Sequence, residues 1–473
     1  MNKIVLSTVA ATLLTMSFGY AAEQKSLEER IEALEDKEAE AYESKKKEAK
    51  LKKGKVGTFE FSGVHYFGLT SATPETYAAD GGKYADDATG FEMRRNYVQV
   101  KAFINDKDYL RVTMDGTKEL GANEVVKVSI PAADINGDGD TKDPGEAPKA
   151  SVTQTRNGYS NVFFKYAYLW LDDVVPSSMV DYLPATGVEI GIAHRPWIDY
   201  EEHNSWYYRS FNKVVIEEKG TRTESGVDLV NSADLGFNFK SKSEYFSSEL
   251  GVFNGEGYHA DKDAANQNNS SELSFEYRLT GHVFGNGTDV GKYKKDTDEY
   301  ANISTFGLIS DNHKDDSATL DQTSDHALKG EYDREIYGIH AVYNQPFFLV
   351  AAQYFVAEDT AQDTLKATNW GKREYNVWSI NGEIRPIENW TIIGRYDNYE
   401  WDDTLVDGAD MASSVEGDKK IIALAYKYNK NVTFIASAKL IDETYTVDSK
   451  KTVAGNDDGE SKNVYMLTTE VKW

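Results

Sequence analysis

The last ten residues of the chain alternate between two faces. Tyr465, Leu467, Thr469, Val471 and Trp473 fall on one, largely apolar, and Val464, Met466, Thr468, Glu470 and Lys472 fall on the other, mostly polar. A period of two belongs to an extended strand whose faces meet different surroundings. The pattern recurs in Leu110, Val112 and Met114 against Arg111, Thr113 and Asp115, and in Ile392, Gly394 and Tyr396 against Arg395 and Asp397. It recurs again in Val432, Phe434, Ala436, Ala438 and Leu440 against Thr433, Ser437 and Lys439. Each segment is roughly ten residues, the length a tilted strand needs to cross hydrocarbon.

The connectors between such segments alternate in length. Tight ones fall at Asn105–Asp108, Ser241–Glu244, Asn344–Pro346, Arg385–Asn389 and Asn429–Asn431. Between them lie eight long, Gly/Asp/Asn-rich stretches near residues 70–90, 118–159, 195–233, 255–271, 311–332, 358–371, 401–418 and 444–461. Eight long loops on hairpins imply an all-β fold, a transmembrane antiparallel β-barrel of about sixteen strands with short turns on one side. The turns after Asp172 and Phe284 are expected to be longer than the other short ones. A soluble sandwich of two sheets would also alternate. Strand length, the long/short rhythm and aromatics near strand ends (Tyr109, Trp170, Trp390, Tyr428, Trp473) favour the barrel, whose lipid interfaces carry aromatic girdles.

Composition removes other classes. After the N-terminus no run approaches the roughly 20 apolar residues of a spanning helix. A net charge of -26 repels polyanions, so no nucleic-acid partner is expected, and with Cys 0 there is neither a disulfide framework nor a thiolate site. The first 21 residues read as a cleaved secretory signal, with Lys3 before an apolar stretch and small residues at Gly19 and Ala21. Residues 22–56 read as a short helical segment on Leu27, Ile31 and Leu34, either a coiled-coil seam or a solvated helix, and 57–473 as the barrel domain.

A barrel of about sixteen strands encloses water rather than a packed core, so function lies in what narrows and charges the lumen. Phe91-Glu-Met-Arg94-Arg95-Asn-Tyr-Val-Gln-Val and Asn105-Asp-Lys-Asp-Tyr109-Leu-Arg111-Val-Thr-Met-Asp115 resemble the early hairpin of the phosphate-selective porins of the O and P type. Ala167-Tyr-Leu-Trp170-Leu with Val188-Glu-Ile-Gly-Ile192-Ala-His-Arg195-Pro196 is similar to the next hairpin, and the likeness spans about residues 57–230. It implies a homotrimeric sixteen-stranded porin in the outer membrane of a Gram-negative bacterium, among lipids and passing small hydrophilic solutes or anions. It also implies an in-folded constriction loop at Trp197–Val230. If Val98, Val100, Ala102 and Ile104 face lipid, Arg95, Gln99 and Lys101 face the lumen, as do Arg111, Arg395, Lys427 and Lys439 by the same parity. Arg195 and the loop residues Arg209 and Arg222 complete the expected pore lining. Guanidinium forks suit phosphate, whereas the acidic loops oppose anions. Anion or phosphate preference and a general or cation-preferring porin both stay open.

Asp134, Asn136, Asp138 and Asp140 match the first half of a calcium loop, but position twelve is Gly145 and Glu146 follows it. The segment is either a calcium site or an acidic external turn; no other cofactor is expected. His194, His203 and His259 read as loop or lumen residues. No G-x-S-x-G elbow occurs, so an enzyme is not expected; a barrel hydrolase and a surface adhesin are the rival classes.

Overall fold

Among the described residues after Gly57, the alternating segments form strands. A computed structural model describes residues 57–73, 88–117, 123–128, 152–157, 161–175, 185–218, 225–255, 257–258, 273–284, 294–313, 332–361, 371–405, 411–449 and 458–473. The expected signal, the N-terminal helical segment, Arg222, His259 and the Asp134–Asp140 segment lie outside the described residues. In chain order the elements are β1 (Phe59–Ala72), β2 (Ala88–Phe103), β3 (Tyr109–Thr117), β4 (Asn123–Val128), β5 (Val152–Asn157), β6 (Asn161–Asp172), β7 (Ala185–His194), α1 (Pro196–Asn204), β8 (Ala233–Lys242) and β9 (Phe246–Phe253). They continue as β10 (Ser274–His282), β11 (Tyr300–His313), β12 (Tyr332–Gln345), β13 (Phe348–Ala361), β14 (Gly371–Ile387), β15 (Trp390–Leu405), β16 (Met411–Lys427), β17 (Val432–Ser449) and β18 (Asp458–Lys472).

Sixteen of these strands form one closed antiparallel barrel, each paired with its neighbour along the chain. The first and last strands seal it, from Val64 opposite Lys472 to Ala72 opposite Val464. β4 and β5 form a separate hairpin within the connection from β3 to β6. Closure satisfies the backbone of every wall strand and leaves no edge, which a sandwich does not do. Among the described residues no helix is long and apolar enough to cross a membrane.

The two faces are the reverse of those of a soluble protein. Leu110, Ile392, Ile422, Leu424, Tyr465 and Leu467 are exposed on the outside, while Thr113, Asp115, Asp397, Lys419 and Lys439 are buried on the inside. An apolar belt around a polar interior needs hydrocarbon outside. Trp390, Tyr428 and Trp473 face outward at the short-turn edge, as a girdle requires. Tyr109 and Trp170 do not: they stack on each other at 6.3 Å and pack against Tyr166 and Tyr168 in the lumen. Tyr109 shares the parity of Arg111, and a bulge opposite Thr113/Met114 reverses the parity of β6 before Trp170.

Two of the long stretches are shorter than expected. β15 runs to Leu405 and β16 begins at Met411, so most of 401–418 is strand, and β17 and β18 likewise consume much of 444–461. Glu400 opposite Glu416 and Asp402 opposite Ser414 continue the ladder beyond the apolar belt. Acidic composition there reports water outside the strands, not loss of pairing.

Candidate functional site

The segment after β7, the fifth strand of the wall, turns into the lumen. Arg195 fixes its root: the guanidinium is fully buried, with Nη2 2.8 Å from Asp234 Oδ2, Nε 3.1 Å from Glu276 Oε1, and Nη2 donating to the Gly255 carbonyl at 3.2 Å. Pro196 then occupies the first turn of α1, where its missing N–H costs nothing. Trp197 stacks face to face on Phe306 of β11 at 3.8 Å, and Arg278 of β10 lies over Tyr200. Further along, Asn381 of β14 donates to the Ser205 carbonyl, Arg395 of β15 to the Lys213 carbonyl, and Arg334 of β12 to the Leu229 carbonyl at 2.9, 2.8 and 2.5 Å. One short segment reaches all these strands only by lying across the lumen.

The loop is held by packing and by charge. Phe211, Val214, Val215, Ile216 and Leu229 join the inward apolar residues of β11–β18 in one cluster. Beside it lies an ionic lock: Lys419 bonds Glu218 and the Ser225 carbonyl and sits 3.0 Å from Asp397, which in turn accepts from Arg395 at 2.7 Å. Ser225 also bonds Tyr399 and Glu443. Charged groups so deeply buried persist only when paired. On α1, burial pushes Glu201 up to about 8, with Arg395 and the bond from Gln353 opposing the rise. For Glu217 burial acts in the same sense, but the Arg209 guanidinium 2.7 Å away overrides it and holds the group at about 2.

Between the loop and the short-turn rim lies a cavity of about 1070 Å³. Nine Lys and Arg side chains line it against four Asp and Glu, although the whole chain carries a charge of -26. Arg111, Lys165 and Arg209 form its deep end. Arg111 lies 4.8 Å over the ring of Tyr166 and donates to the Tyr168 hydroxyl at 3.1 Å. Lys165 lies 4.7 Å over the ring of Tyr97, whose hydroxyl accepts from both Lys165 and Arg209 at 3.1 Å. Neither Arg111 nor Lys165 has a carboxylate within ion-pair distance among the described residues. Arg385, Lys427, Lys430 and Lys472 stand at the rim.

Of the residues expected to line a pore, Arg111, Arg209 and Lys427 border this cavity. Arg95 is buried in the lumen wall 3.8 Å from Asp115, and Lys101 points inward 5.1 Å over Tyr109. Arg395 and Lys439 are buried on the inner faces of β15 and β17, and Arg195 is enclosed at the loop root. None of these last three borders the cavity, and Arg195 and Arg395 are held in ion pairs. His194 and His203 border it too, His194 against Glu189 at 2.9 Å. The sequence reading missed Lys165, Lys294, Lys295, Arg385, Lys430 and Lys472. Parity gives Lys472, which alternates with Trp473. Lys165 was hidden because it is the extra residue of the β6 bulge, which turns it and Tyr166 inward together. A second bulge, between β1 and β2, likewise buries both Arg94 and Arg95.

No family model and no curated protein matches the sequence. Similar solved structures include an anion-selective porin from Comamonas acidovorans, at 8% identity and a TM-score of 0.49 over 88% of this chain and 99% of that one. OmpT, an outer membrane protein of Vibrio cholerae, aligns at 13% identity and a TM-score of 0.48 over 90% and 100%. The outer membrane channel DcaP of Acinetobacter baumannii aligns at 9% and 0.46 over 89% and 99%. The chemistry of the lumen has to come from this chain's own residues.

Proposed function

We propose that the protein is an outer-membrane porin, a water-filled channel for small hydrophilic solutes that prefers anions. One observation carries the preference: the cavity below the in-folded loop has nine cationic and four anionic lining side chains in a chain of net charge -26. A polar lumen between low-dielectric walls focuses the field of such charges and raises the local concentration of counter-ions. The outward apolar belt supports membrane insertion. The outer membrane of a Gram-negative cell and a homotrimer belong to the same reading. Inorganic phosphate is its finer form, because guanidinium and ammonium groups without carboxylate partners among the described residues, such as Arg111 and Lys165, keep donors for an oxyanion. Calcium in the Asp134–Asp140 loop stays a separate proposal, tested by calcium titration of the purified protein.

Reversal potentials across a planar bilayer in a KCl gradient test the channel. The expected sign is that of anion preference, and the double substitution Arg111→Met/Lys165→Met should lower the anion-to-cation permeability ratio about threefold or more. Phosphate added to the chloride solution should reduce chloride current in the wild type more than in the double variant. Equal permeabilities would make this a general porin, and a silent barrel would remove the channel reading altogether.

A further inference from the structure

The connection from β10 to β11 is one of the two long ones on the short-turn side, and its described end, residues 294–299, folds back into the barrel. Lys294, Lys295, Asp296 and Thr297 all line the cavity. The turn is firmly built: the N–H groups of Thr297 and Asp298 donate to the Lys294 carbonyl at 3.1 and 2.8 Å. Asn344 of β12 donates to the carbonyls of Lys295 and Asp298 at 3.1 and 2.6 Å. Its tip is docked on two sides. Lys295 Nζ lies 4.5 Å over the ring of Tyr208, in the in-folded loop, and donates to that hydroxyl at 2.8 Å and to Glu383 of β14 at 3.1 Å. Asp296 lies 3.2 Å from Lys427 of β16 and 3.9 Å from Arg385 of β14.

We propose that this turn is a second selectivity element, in series with the in-folded loop: a solute passes Lys295 and the Asp296–Lys427–Arg385 cluster between the loop and the short-turn mouth. The proposal rests on the channel reading. Its logic is local charge. Asp296 is the carboxylate that faces Lys427 and Arg385 from the turn, and Lys295 is the cation that joins the turn to the loop. Removing each should therefore move selectivity in opposite directions, which damage to the fold would not do. Asp296 and Lys427 are both about half exposed, at 51% and 50%, so their effect should be strongest at low salt.

A pH dependence follows from the same geometry. Burial lowers Lys295 to about 7, with Asp296 and Glu470 opposing the fall and Arg385 and Lys472 adding to it. Glu383, Tyr207 and Tyr208 also face the ammonium. A lysine with a lowered pKa is charged below that value and neutral above it. Anion preference should thus weaken as pH rises from about 6 to about 8, and the Lys295→Met variant should lack this change.

Reversal potentials at low salt are measured for the wild type, Lys295→Met and Asp296→Asn. Asp296→Asn is expected to raise the anion-to-cation permeability ratio and Lys295→Met to lower it, each about twofold. If the wild type conducts and prefers anions but both variants match it, the second element is overturned while the channel reading stands. A shift of both variants in one direction overturns it as well. A wild type that does not conduct overturns the channel reading first.

Discussion

Lys419→Met is expected to release the in-folded loop, raising single-channel conductance about twofold or more and erasing most of the anion preference. Lys419 is fully buried between Glu218 of the loop and Asp397 of β15, 3.0 Å from the latter, and also donates to the Ser225 carbonyl at 2.6 Å. Methionine fills similar space but leaves Glu218 in the wall without its ammonium partner. Breaking a buried pair from one side costs about 3–5 kcal/mol. The loop can avoid that cost by lifting Glu218 into water, so the energy should appear as loop release more than as barrel unfolding. Asp397 is buffered because Arg395 remains 2.7 Å away. The double variant Lys419→Met/Glu218→Gln removes both partners and should restore much of the wild-type conductance. Wild-type conductance and selectivity in the single variant would mean that the loop stays seated without this lock.

The barrel was legible because its rules are local. Parity assigns Leu110, Val112 and Met114 to one side and Arg111, Thr113 and Asp115 to the other without reference to any distant residue. Tight connectors such as Asn105–Asp108 mark the hairpins, and their alternation with long ones gives about sixteen strands. What the lumen does with its charges was less legible. Arg195, Arg395 and Arg209 look alike in sequence and all three are ion-paired, to Asp234, Asp397 and Glu217 among others, yet only Arg209 also borders the cavity, because where each pair sits is set by how the loop folds. Parity also fails at the bulges, where one extra residue turns Lys165 inward and sends Trp170 to the lumen instead of the lipid edge. The inward turn at Lys294–Glu299 left only a trace, a short-side connector of unusual length.

One signal for the seat of the loop was present but unread: glycine directly opposite an aromatic on the next strand. Gly338 of β12 pairs with Phe306 of β11, and Gly417 of β16 pairs with Tyr399 of β15. A Cβ on Gly338 would stand 2.1 Å from the Phe306 ring, and one on Gly417 2.1 Å from the Tyr399 ring. Each glycine therefore lets an aromatic lie flat on the wall, a recognised way of stabilising glycine within sheets. Phe306 in that position is the platform for Trp197, parallel within 5° at 3.8 Å, while Tyr399 reaches Ser225 near the other end of the loop at 2.6 Å. Gly338→Val should lift Phe306, lose a stacking contact worth about 0.5–1.5 kcal/mol and add overpacking of about 1–3 kcal/mol. The expected result is a lower melting temperature and a channel with larger, noisier openings. Gly394→Val provides the control, since a Cβ there meets nothing within 4 Å and the residue faces outward. Valine suits an exposed strand position, so this variant should behave as wild type in both measurements. If the two variants prove indistinguishable, the Phe306–Trp197 stack does not seat the loop, and the ionic lock at Lys419 with the wall's other bonds to the loop must carry it.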